Sequence, residues 1–176
     1  GDNLYVANSG GYRVPNYDRT VSVIDLKTFT EEKKIDVAIN LHRIQPDNYG
    51  NLYVSSRGDY YEIPSKTFII DTSTDEVAYE FEDLPNTHMT LCRDSLFLYS
   101  TEWSYITNDW TVSYAIVNTR TREIVTRNFI KDGTEKRIQT PYGIAVNPNT
   151  GEFLVTDAKD SVRAGTLHCF GPDGIR

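Results

Sequence analysis

The segment DNLYVANSGG at positions 2–11 returns almost unchanged as GNLYVSSRGD at positions 50–59. Each copy is followed by a second extended-looking segment, TVSVIDLKT and then KTFIIDTST. A third pair reads SLFLYSTEW and VSYAIVNTRT, and a fourth reads GEFLVTDAK and GTLHCFGPDG. A fixed internal period constrains a fold more than any single motif, because each unit must bury its apolar face against a neighbouring copy.

The second segments share a register. Asp25, Asp71 and Asn118 stand 46 and 47 residues apart, and each is followed three positions later by Thr28, Thr74 or Thr121. A short Asp or Asn side chain bonds backbone N–H groups just ahead of it and seeds a tight turn. The fourth copy uses GPDG at the same place. Strands rather than helices are predicted, from period-two alternation and β-branched and aromatic content. Each unit then reads as four strands, A to D. A is typified by PYGIAVNPNTGE; B is the LYV element; C is the VSVID element. D is EEKKIDVAI, DEVAYEFED or REIVTRNFI. A period near 45 is that of a four-stranded blade, so the fold class is all-β, a β-propeller of antiparallel blades. Unit boundaries are expected near 1–38, 39–83, 84–138 and 139–176. No helix is expected.

Composition narrows the partners. The 176 residues carry 18 Lys and Arg against 25 Asp and Glu, a net charge of −7. No basic stripe exists to neutralise phosphate, so a nucleic-acid partner is excluded, and adsorption to anionic lipid is disfavoured. No apolar run reaches the roughly 20 residues that span a bilayer. Cys92 and Cys169 lack metal-type spacing and read as buried free thiols, with a disulfide as the alternative.

LYVANS followed by TVSVIDLKT, together with PYGIAVNPNTGEFLVTDA, resembles the YVTN-type β-propeller repeat. The chain is most similar to the surface-layer-protein-like propellers of Gram-negative gut bacteria, a domain of unknown function. The resemblance implies a ring of about seven blades. It also implies an extracytoplasmic protein (cell-surface, periplasmic or secreted), with room for a lipid anchor outside this chain. The chain opens on a B strand and closes soon after a C strand. That arrangement is expected of four blades, two of them incomplete, from roughly half of a larger ring.

In such a blade the B–C and D–A loops share a face. The B–C loops are long, NSGGYRVPNYDR, SSRGDYYEIPSK, STEWSYITNDW and DAKDSVRAG. Long loops gathered on a rigid scaffold are where binding residues concentrate. They carry Tyr12, Tyr17, Tyr60, Tyr61, Trp103, Tyr105 and Trp110, with Arg57 and Asp59 among their charges. Aromatics with polar tips bury area at low entropy cost and still hydrogen-bond, which suits a protein or carbohydrate ligand. The competing reading makes each loop a twisted hairpin tip whose rings pack on its neighbours.

His42 and His88 lie 46 residues apart, near the starts of two A strands. The resemblance places A strands along the central channel. Two imidazoles there could hold a divalent metal or act as an acid–base pair, as in propeller lyases and lactonases. No other cofactor is expected: no Gly-rich phosphate loop, nucleophile elbow or calcium-loop spacing occurs. The leading expectation is a non-catalytic scaffold that binds through its loops. The alternatives are an enzyme at the channel mouth and a structural envelope component.

Overall fold

The computed structural model describes residues 2–11, 13–104 and 108–176. The chain divides into two compact units, Gly1–Thr87 and His88–Arg176. All strand pairing is antiparallel between neighbours in sequence.

The first unit holds two sheets. One is β1 (Asn3–Ala7), β2 (Thr20–Asp25) and β3 (Glu31–Asp36), in that order. The other is β4 (Leu41–Pro46), β5 (Asn51–Ser56), β6 (Lys66–Asp71) and β7 (Glu76–Glu80). Alternation along β1 and β2 turns Tyr5, Ala7, Val21 and Val23 inward, where they meet Leu41, Leu52, Val54 and Ile70 in one core. Each fully buried aliphatic side chain there contributes about 1.5–3 kcal/mol. The Tyr5 hydroxyl donates to Asp75 Oδ1 at 2.8 Å and ties the sheets at their turn end. Burial, reinforced by that carboxylate, pushes the phenol up to about 12.

The second unit repeats the plan. Its first sheet is β8 (His88–Cys92), β9 (Ser95–Ser104), β10 (Asp109–Asn118) and β11 (Glu123–Thr126). Its second is β12 (Pro141–Val146), β13 (Phe153–Asp157) and β14 (Thr166–Phe170). The core here is aromatic. Phe97, Phe129 and Phe153 lie with ring centroids 5.2–5.6 Å apart, and Phe153 stacks on Phe170 at 4.8 Å. Such pairs add about 0.5–1.5 kcal/mol beyond their area.

The turn chemistry read from the sequence is present. Asp25 Oδ1 accepts the amides of Lys27 and Thr28, and Asn118 Oδ1 those of Arg120 and Thr121. At Asp71 the partner is Ser73, through both its amide and its hydroxyl. The chain then enters the left-handed region at Phe29, Asp75 and Arg122. A second repeat was not foreseen. The C–D pairings slip by one residue at Val23/Ile24, Ile69/Ile70 and Ile116/Val117, a bulge in one register through three sheets.

Three expectations need correction. The D strands end early, at Asp36, Glu80 and Thr126. A short 3-10 turn, Thr134–Arg137, interrupts the connector after β11 where no helix was expected. Most of the anticipated loop 100–110 is strand, since β9 and β10 pair without a break from Ser95↔Asn118 to Ser104↔Asp109. Alternating Thr101, Trp103, Trp110 and Val112 suit a pleated surface, so the ladder runs on toward the tip.

Candidate functional site

In the first unit the described residues of the B–C loops, 8–11, 13–19 and 57–65, meet the connector between β3 and β4. Asn40 is the joint. Its amide donates to the Asp18 carbonyl at 2.9 Å, and its carbonyl accepts the Arg57 amide at 3.1 Å. Its side-chain amide donates to the Gly58 carbonyl at 3.0 Å. Asn40 is buried and adopts φ 53°, a left-handed conformation that Asn tolerates better than most residues. The Ser56 hydroxyl adds a bond to the Ile39 carbonyl at 2.7 Å.

Gly58 closes the second loop. Its φ is +65°, and a Cβ there would stand 1.8 Å from the Ile63 carbonyl oxygen. Only glycine permits that approach. Asp59 then caps the loop, with Oδ1 accepting the amides of Tyr61 at 2.9 Å and Ile63 at 2.8 Å. These bonds, the Tyr61 amide first, hold its carboxyl below the usual range. Asp18 does the same in the first loop. Burial opposes its charge, but the Thr20 hydroxyl and the Arg19 and Thr20 amides outweigh it and lower its pKa.

The aromatic rings sit on this frame. Tyr60 and Tyr61 are 54% and 77% exposed, so neither serves the core. Tyr17 is half-buried, and its phenol is raised by burial and then by the fields of Tyr60, Asp59 and Tyr61. The loops that carry these rings are joined at Asn40, through the Asp18 carbonyl of the first and the Arg57 amide and Gly58 carbonyl of the second. Tyr12 and Tyr105 lie outside the described residues.

Trp103 and Trp110 lie in the second unit, as cross-strand partners on β9 and β10 rather than on a loop. Their rings meet edge to face, with centroids 5.6 Å apart, and both remain exposed.

The histidines fall in separate units. His42 Nε2 lies 2.8 Å from the Arg57 guanidinium, a cation where a metal ion would bind. His88 stacks on Tyr99, with centroids 5.3 Å apart and planes 10° from parallel. Among the described residues no group of three or more His, Cys, Asp and Glu is placed to hold a metal ion.

The sequence reading missed Asn40, Gly58 and the His42–Arg57 pairing. A Gly before an Asp in a long loop was the one available signal for Gly58. Asn40 takes its role from two loops that fold elsewhere, so nothing local announces it.

No family model and no curated protein sequence matches the chain. Solved structures do. A hydrazine synthase from Kuenenia stuttgartiensis matches over 97% of this chain and 51% of its own, at TM-score 0.65 and 15% identity. A europium-containing methanol dehydrogenase matches over 99% of this chain and 38% of its own, at TM-score 0.58 and 11% identity. A complex of KlAtg21 with the coiled coil of AgAtg16 matches over 96% and 53%, at TM-score 0.56 and 10% identity. The enzymes are β-propeller proteins, and the all-β sheets described here share that propeller-like fold. The chain spans about half or less of the length of these three structures.

Proposed function

We propose that the chain is a non-catalytic binding module that captures a glycan or protein segment on the loop cluster of its first unit. The carrying observation is the joining of the two loops through Asn40, with Tyr17 on one and exposed Tyr60 and Tyr61 on the other. Rings held on a rigid frame lose little entropy on binding, and flat aromatic faces stack on sugar faces or cover apolar side chains. Asp59 Oδ1 is held by its own turn, which keeps the carboxyl below its usual range, and His42 faces a guanidinium, so neither is poised as a general base.

The repeat is read as YVTN-type, and the four sheets as consecutive blades of a ring of about seven. The shared turn and bulge register supports this. An extracytoplasmic location follows from the same reading.

A glycan and peptide array probed with the full chain and with Tyr61→Ala tests the proposal. Capture by the native chain that falls at least tenfold in the variant is expected. Equal capture by both, with folding intact, removes the loop cluster from the function.

A further inference from the structure

Arg57 is the half-buried cation of the loop cluster, and its partner is unusual. Its Nη2 lies 2.8 Å from His42 Nε2. A guanidinium stays protonated and can only donate, so the imidazole nitrogen must be the acceptor. A neutral acceptor orients the cation without neutralising it. The main-chain amide of Arg57 is bonded to the Asn40 carbonyl, which fixes where the side chain starts.

Two acids of the loops, Asp59 and Asp18, bond elsewhere. Asp59 Oδ1 serves the amides of Tyr61 and Ile63. Asp18 Oδ1 serves Arg19 and Thr20, and its Oδ2 lies 3.7 Å from Arg13. Among the described residues no ion pair includes Arg57. Four of the five guanidinium N–H groups are left to meet an anion, in a fork that matches a carboxylate. With a net charge of −7 the chain has no general attraction for anions, so selection falls to this local geometry.

From this arrangement we infer that the cluster takes an acidic glycan, with a uronic-acid carboxylate on Arg57 and sugar faces on the exposed tyrosines. The inference rests on the loop-cluster reading above and narrows it. A peptide is less suited. Of the four strands that carry the two loops, β2, β5 and β6 are paired on both sides and only β1 keeps an open edge, so strand addition of a peptide beside the cluster is confined to that one edge.

Calorimetric titration of the full chain compares a galacturonic-acid oligosaccharide with its methyl ester. The ester keeps the sugar faces and removes the charge, so the comparison needs no variant and no refolding. Roughly ten- to hundredfold weaker binding of the ester is expected, the usual worth of a charged hydrogen-bonded pair. Arg57→Gln is expected to bind acid and ester alike. Equal affinity of the native chain for both overturns the acidic preference while leaving a glycan-binding cluster in place. Preferential capture of an oligoaspartate peptide overturns the glycan assignment. Failure to bind either saccharide or the peptide overturns both this inference and the loop-cluster reading.

Discussion

The side-chain amide of Asn40 holds the Gly58 carbonyl at 3.0 Å, so one connector sets the first turn of a loop eighteen residues away. Asn40→Asp would place a carboxylate oxygen against that carbonyl in a site 4% exposed. A cost of about 2 kcal/mol or more is expected, because a buried acceptor then faces an acceptor. Gly58→Ala is expected to cost about 2–4 kcal/mol, from its contact with Ile63 and its positive φ. Urea unfolding midpoints measure both. Native-like midpoints would mean that the connectors do not interlock.

Trp103 and Trp110 form an edge-to-face pair at the far end of a long hairpin. A double-mutant cycle to alanine should return a coupling of about 0.5–1.5 kcal/mol. Either single variant should also abolish any near-UV circular dichroism arising from the paired indoles. Zero coupling would show that the strands do not run this far in solution.

Asp157 is buried at 2% exposure where β13 ends. Burial opposes its charge, yet the amides of Thr140, Lys159 and Gln139 outweigh that and hold its carboxyl below the usual range. An unfolded Asp titrates near ~3.9. A folded value below that gives stability that is full above about pH 4 and lost as the pH falls through the folded pKa. Asp157→Asn should be about 1–2 kcal/mol less stable at pH 7 and should show a shallower acid limb. Parallel acid limbs in native chain and variant would contradict this assignment.

Both cysteines are free thiols, but they differ in access. Cys92 is buried beside the Asn147 carbonyl, whereas Cys169 on β14 is exposed, against the expectation that both are covered. Alternation along β14 explains the difference, since Phe170 turns inward and Cys169 outward. A chromogenic disulfide reagent should titrate one thiol in the native chain and two in denaturant. Two native equivalents would mean that the second unit's core admits reagent.

The sheets were legible because their signals are local. Asp25, Asp71 and Asn118 bond amides two or three residues ahead, and such chemistry leaves its spacing in the sequence. The bulge after Val23, Ile69 and Ile116 left no such mark, since it depends on how each D strand is pulled against its neighbour. Tyr17, Tyr60 and Tyr61 were legible as loop aromatics, but the joining of their loops was not. It depends on Asn40, which bonds to residues 18, 57 and 58 only after two sheets have formed. The His42–Arg57 contact was hidden in the same way, by a separation of fifteen positions and a hairpin turn.

Hydrogen exchange of the full chain, with and without a saturating captured glycan, tests the central claim most directly. The account predicts added protection confined to residues 8–19, 38–42 and 57–65, the loops and connector that Asn40 joins. Protection elsewhere, with those three segments unchanged, would place the binding surface on another part of the chain and contradict it.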